Sequence, residues 1–498
     1  MKRLSFCLLF LFPYVAIGQL SVATFFSGNM VLQRDEPITV WGKAIPGNEV
    51  TVQFAGESKK IIAAADSGWV VYFQKQSANA KPQSIRIESG NSKIELNNIL
   101  IGDVWLCIGQ SNMEWPLQRE VHYKSELPLS NLHQLRLYNP NYAGKSIFAN
   151  AFTDSVTQLL TTEHFYKGVW QQCDSVSVKQ MSAVAYYFGK TLVTSLDVPI
   201  GLINLSIGGA PLETFIDPVA LKKHKQFSSK INGDWLRNTS LPVWVKERGQ
   251  QNIGSNSNVP SDGYGKNHAY KPGFAYKAGI EPLFRLAIKG IINYQGESNA
   301  QETERVEEYA ALSVVMINNY RSKWKKNLPY YFVQLSSIDT LQYKGQLWPQ
   351  FRNEQRKMLA LIPNSGMAVS SDHGAANDVH PTNKKAVGER LARWALHQTY
   401  QKKIIPSGPL PLKAIYKNGF VKISFQYAAG LQTSDGEPLN GFSVNGKEMS
   451  DAIISDKQVL VKSKQKPAYI YYGWQPFSKG NLVNGEQLPA STFKLLVE

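Results

Sequence analysis

The chain of 498 residues holds three cysteines, and one of them, Cys7, sits in the N-terminal apolar run. The remaining pair, Cys107 and Cys173, is too small for a disulfide framework and has no zinc-ligand spacing. Cys107 lies in an apolar, strand-like run, the setting of a buried free thiol. The sequence also lacks a later apolar stretch long enough to cross a bilayer. Basic residues outnumber acidic ones, 54 to 38, a net charge of +16, but they are not clustered. The densest runs, Lys222-Lys223-His224-Lys225 and Lys323-Trp324-Lys325-Lys326, accompany no nucleic-acid motif and read as solvated surface. No internal repeat is evident. These absences argue against a disulfide scaffold, a membrane-spanning protein, a nucleic-acid partner and a repeat array.

What is present describes a large globular chain. Hydrophobic residues make up 43% and charged residues 18%, which excludes disorder, and the length is about three times that of a typical domain. Aromatic residues, at 11%, suit sugar-binding surfaces. Met1-Lys2-Arg3, an apolar run from Leu4 to Ile17 broken by Pro13, and the small residues Ala16 and Gly18 have the order of a secretory signal peptide, 1–18. Export to a periplasmic or secreted location is therefore expected.

Texture divides the rest into three. Residues 19–98 alternate short β-like runs such as Val50-Thr51-Val52-Gln53-Phe54 with turns such as Pro46-Gly47-Asn48, as an all-β domain does. Residues 99–402 alternate apolar strands with amphipathic helices, the pattern of a parallel sheet covered on both faces. After Ile405-Pro406-Ser407-Gly408-Pro409, the final part of the span 403–498 returns to β texture. Parallel strands are predicted at Val104–Ile108, Ile200–Leu205, Ile288–Tyr294, Tyr330–Leu335 and Met367–Ser370. A helix is predicted from a capping box at Ser177-Val178-Lys179-Gln180 to about Ser195, and another over Glu304–Trp324. A polar, Gly/Asn/Ser-rich segment, 219–277, interrupts the alternation as an insertion over the sheet's end.

Open α/β sheets bind ligands beyond the carboxyl ends of their strands, so the residues there are the candidates for chemistry. The first strand leads into Gly109-Gln110-Ser111-Asn112-Met113, where Ser111 can present a hydroxyl to a cleft; alone it would read as a helix N-cap. The second ends in Ser206-Ile207-Gly208-Gly209-Ala210, whose paired glycines allow close approach to backbone N–H groups. The third ends in Tyr294-Gln295-Gly296-Glu297-Ser298-Asn299, and the fifth leads to Asp378-Val379-His380-Pro381. A serine is a weak nucleophile until a base takes its proton, and the base needs an orienting acid. His380 is the candidate base, Asp378 its acid, and Glu297 the rival or supporting acid. The N–H of Ser111, those of Gly208 and Gly209, and the Gln295 amide are candidate oxyanion donors; Asn112 and Asn299 are candidate substrate contacts. His373, Asp378 and His380 together raise a metal reading, but neither HExxH nor a thiolate cluster supports it.

These blocks, with Lys384, Gly388, Arg390, Leu391 and Ala392, resemble the serine, oxyanion and histidine blocks of the sialate O-acetylesterases in the SGNH hydrolase superfamily. Asn29-Met30-Val31-Leu32-Gln33-Arg34 resembles that family's N-terminal β domain, and Tyr472-Gly473-Trp474 with Asn481-Leu482-Val483-Asn484 its C-terminal one. The resemblance implies a three-layer α/β/α hydrolase domain flanked by all-β domains. It implies a serine esterase without metal or cofactor that removes acetyl groups from sugar hydroxyls, with Ser111, His380 and Asp378 in the corresponding roles. Asn293 stands where the family usually has Trp, and Ile207 and Ala210 where Trp and Thr flank the glycines. These departures bear on acyl-sugar preference. The competing readings are an acetylxylan or other polysaccharide esterase and a non-catalytic glycan-binding protein.

Overall fold

In the computed structural model, which describes residues 20–339 and 344–498, one strand, Ser92–Gly109, ties the first part of the chain to the rest. The expected signal segment, 1–18, lies outside the described residues. The strand's beginning pairs antiparallel with Asn79–Ser89, and its end lies parallel between Ile200–Asn204 and Gly290–Tyr294. Its side chains record the change: burial is intermittent up to Asn98, and every residue from Ile99 to Gly109 is buried. A strand covered on both faces needs such a continuous apolar run. The junction expected between residues 98 and 99 thus falls inside one strand.

The large sheet runs in the order Trp170–Cys173, Leu132–Tyr138, Ile200–Asn204, Ser92–Gly109, Gly290–Tyr294, Tyr330–Gln334, Ser365–Val369. All neighbours along it are parallel except the antiparallel first pair. All five predicted strands are present. Leu132–Tyr138 and Trp170–Cys173 extend the sheet beyond them. The sequence Leu132-His133-Gln134-Leu135-Arg136-Leu137-Tyr138 hides its strand because Arg136 is buried, with Nη2 donating to Asn98 Oδ1 at 3.1 Å.

Helices cover this sheet. Thr303–Trp324 buries Val306, Tyr309, Leu312, Met316 and Tyr320 on one stripe, as its periodicity predicts. The capping-box expectation is corrected: Ser177–Gln180 is a separate 3₁₀ turn, because Met181 is extended (ψ 145°) and breaks the helix there. The helix proper is Ala183–Leu196, capped by Ser182, whose Oγ accepts the Ala185 N–H at 3.1 Å. It packs on Lys385–Trp394, the helix that follows the His380 loop.

Smaller β sheets follow Leu410, and the C-terminal part meets Arg352 and residues 337–338, next to the residues that brace the same loop. Arg352, fully buried, donates through Nη2 to Gly473 O at 3.0 Å and through Nη1 to Pro476 O at 3.2 Å. The Asp339 N–H donates to Ala376 O at 2.8 Å, and Ser337 Oγ donates to Ser371 O at 2.6 Å. Among the described residues no helix is long and apolar enough to cross a membrane.

Candidate active site

Gly109 ends its strand at φ +140°, and a Cβ there would lie 2.1 Å from Tyr294 O, so only glycine admits the turn. The turn starts the short helix Ser111–Glu114 and brings Ser111 to the mouth of a cavity of about 680 Å³. His380, from the loop after Ser365–Val369, reaches the same place: Nε2 stands 2.8 Å from Ser111 Oγ. Asp378 Oδ1 accepts the His380 backbone N–H at 2.8 Å and lies 3.3 Å from Nδ1. The Trp115 ring stacks on the imidazole, with centroids 5.3 Å apart and planes 20° from parallel. Burial lowers the His380 pKa, with the nearby charges of Lys384 and Arg119 acting in the same direction and Asp378 opposing them.

The other carboxylate bonds to Asn112 rather than to the histidine. Glu297 is 1% exposed, and its Oε1 accepts from Asn112 Nδ2. Burial pushes its pKa up to about 7. Asn112 Nδ2 also donates to Val379 O at 2.9 Å, while Lys384 Nζ donates to Asn112 Oδ1. The amide expected to face substrate is therefore buried and used by the protein. The same holds for Asn299: its Oδ1 accepts from Leu212 N at 3.0 Å and Gln295 Nε2 at 2.9 Å, and its Nδ2 donates to Glu213 Oε2 at 2.9 Å. Tyr309 OH donates to Gln295 Oε1 at 2.6 Å, which fixes the Gln295 amide away from the cavity. A polar cluster after a buried strand looks ligand-facing in sequence; here much of it is internal bracing.

Of the paired glycines, both of which line the cavity, Gly208 donates its N–H to Tyr142 OH at 3.1 Å. Gly209 is held at φ +72°, and a Cβ there would meet Tyr270 Oη at 2.3 Å. Gln110 lines the cavity as well, and its Oε1 accepts from Ser298 N at 3.2 Å.

The 219–277 segment supplies walls that sequence reasoning missed. Trp244 and Arg248, on the helix Val243–Ile253, face the cavity together with Tyr270. Arg248 lies over the Trp244 ring at 5.9 Å, as Arg119 lies over Trp115 at 5.9 Å. Arg248 Nη1 is buried with no hydrogen-bond partner among the described residues. The spacing of Trp244 and Arg248 was their available signal, and nothing local says that it faces Ser111. Among the described residues no group of three or more His, Cys, Asp and Glu side chains gathers as a metal site; His373 Nε2 lies 3.5 Å from Asp372 Oδ2.

Residues 273–397 match the family described as carbohydrate esterase, sialic acid-specific acetylesterase. Human sialate O-acetylesterase is 26% identical over 446 residues, covering 83% of this chain and 78% of the relative. The mouse sialate O-acetylesterase is 25% identical over 448 residues, covering 83% and 80%. The crystal structure of a carbohydrate acetylesterase from Xanthomonas citri superposes with a TM-score of 0.77 at 28% identity, covering 95% of this chain and 99% of that one. The resemblance read from the sequence blocks is borne out.

Proposed function

We propose that this chain, which carries the sialic acid-specific acetylesterase family's domain, hydrolyses acetyl esters on sugar hydroxyls by a serine mechanism. The observation that carries the reading is the 2.8 Å contact between Ser111 Oγ and His380 Nε2 at a cavity large enough for a sugar. Ser111 Oγ attacks the acetyl carbonyl while Nε2 takes its proton. Asp378 orients the ring and stabilises the imidazolium. The Ser111 and Gly209 N–H groups, with the Gln110 amide, are the donors we assign to the oxyanion, each contributing about 3 kcal/mol. Collapse expels the sugar oxygen, which takes the proton from His380 and leaves acetyl-Ser111. Water, deprotonated by His380, then attacks the acetyl carbon, and the C–Oγ bond breaks to release acetate as Ser111 Oγ takes the proton back from His380.

An acidic acyl sugar such as a sialoside is our preferred substrate over neutral acetylated xylan. Arg119 and Arg248 each flank an indole at the cavity wall, and the partnerless Nη1 of Arg248 calls for an acceptor. We read the hydrolase part, 99–402, as an SGNH-type three-layer α/β/α unit between β regions 19–98 and 403–498, in a protein exported through 1–18. Mass spectrometry of protein quenched during turnover tests the mechanism. Acetyl on the Ser111 peptide is expected, and turnover without it contradicts the reading.

A further inference from the structure

Beside the Ser111–His380 pair lies a buried chain of side chains that does not itself line the cavity but meets two residues that do, Val379 and Trp115. Lys384 is fully buried, and Asn112 and Glu297 are each 1% exposed. One amide joins them: Asn112 Oδ1 accepts from Lys384 Nζ, and Asn112 Nδ2 donates to Glu297 Oε1 and to Val379 O. Asn112 follows Ser111 in the chain, and Val379 precedes His380. The amide thus spans, in one side chain, the turn that carries the hydroxyl and the loop that carries the imidazole. The lysine end has a second contact with the same machinery. Its Nζ stands 5.6 Å from the centroid of Trp115, the ring that stacks on His380, and 5.5 Å from that of Tyr294.

We propose that Lys384 and Glu297 act, through Asn112, as positioning residues that hold the His380 loop in register with Ser111. The inference rests on the esterase reading above but adds residues that never meet substrate. An amide with one anchor can swing; with a donor fixed on its oxygen and an acceptor on its nitrogen, it fixes the Val379 carbonyl as well. Displacing reacting groups by about 1 Å can cost ~10²-fold in rate, so such a brace governs turnover rather than affinity. The brace is also electrically live. Burial lowers Lys384 to about 7 and raises Glu297 to about 7, so the cluster changes charge near neutrality. The charged groups acting on His380 are Lys384, Asp378 and Arg119; those acting on Lys384 are Glu297, Asp378 and Glu120. Below neutrality Lys384 is a cation beside His380, so its removal should raise the His380 pKa.

The test uses the purified protein and a fluorophosphonate, whose phosphorus Ser111 Oγ attacks with loss of fluoride, so no sugar need be identified. Wild type, Asn112→Ala, Lys384→Met, Glu297→Ala and Glu297→Gln are compared, with circular dichroism at the assay temperature selecting the variants that remain folded. The proposal expects modification of Ser111 to slow about tenfold or more in Asn112→Ala and Lys384→Met. Glu297→Gln, which keeps an acceptor oxygen, should lose less than Glu297→Ala. With an acetyl ester, the loss should fall on kcat with KM nearly unchanged. An NMR titration of His380 should read a higher pKa in Lys384→Met than in wild type. Folded variants that react at the wild-type rate, or an unmoved His380 titration, overturn the brace while leaving the esterase reading standing. A wild type that fails to react overturns the nucleophile assignment instead, and the His380 titration then decides the brace by itself.

Discussion

Asp378 holds His380 at two points: its Oδ1 accepts the histidine's backbone N–H at 2.8 Å and lies 3.3 Å from Nδ1. The carboxylate is half exposed, at 55% for its side chain, so water shares its work. Asp378→Asn should leave the fold intact and lower kcat by roughly 10²-fold or more, by weakening the acceptor that sets the imidazole tautomer. Glu297→Gln should cost less, because Glu297 meets Asn112 rather than the histidine. Steady-state kinetics of the two variants check this; the reverse order would exchange the roles of the two acids.

Ser111→Ala and His380→Ala should each remove most of the activity, by roughly 10⁴-fold or more, and the double variant should be hardly worse than either alone. Proton transfer across the Oγ···Nε2 contact needs both partners, so losing one leaves nothing for the other to do. A double variant whose loss is the product of the two single losses would show that the residues act independently.

The pH profile follows from the direction of the His380 shift. The imidazole works as a base only when neutral, and burial with the Lys384 and Arg119 charges lowers its pKa from the ordinary 6.5. Activity should therefore persist below pH 6.5 and fall as pH drops through the lowered value. A log(kcat/KM) profile with its acid limb above that point would contradict the assignment.

Gly109→Ala should lower the melting temperature and the activity together. Its Cβ would stand 2.1 Å from the Tyr294 carbonyl at φ +140°, and relief requires the Ser111 turn to move. Thermal unfolding by calorimetry and acetate release on the same sample check both effects. An unaltered melting temperature would show that the turn relaxes freely.

Arg248→Met should raise KM for an O-acetylated sialoside by roughly tenfold or more and leave acetylated xylan little changed, as expected when a charge-assisted hydrogen bond of about 1.5–3 kcal/mol is lost. Equal effects on both substrates would remove Arg248 from carboxylate recognition.

The sequence displayed the strands of the large sheet where apolar runs were unbroken, as in Ile200–Asn204 and Gly290–Tyr294, and missed Leu132–Tyr138 because the buried Arg136 interrupts its pattern. Ser111, Asp378 and His380 were legible because each follows a predicted strand, and the fold brings them together. Gln295, Asn112 and Asn299 were legible as polar residues near the site, but not as inward-facing ones. Their partners Tyr309, Lys384 and Glu213 come from other elements, and no local pattern encodes those meetings. Arg248 and Trp244 stayed hidden for the same reason: a polar insertion reveals its composition, and only folding reveals what it covers.

The most direct test of the central claim is acetate release by the purified protein from an O-acetylated sialoside and from acetylated xylan, with Ser111→Ala measured alongside. The account predicts release that depends on Ser111 and favours the sialoside. Glycan binding without release from either substrate, or release that survives Ser111→Ala, would contradict it.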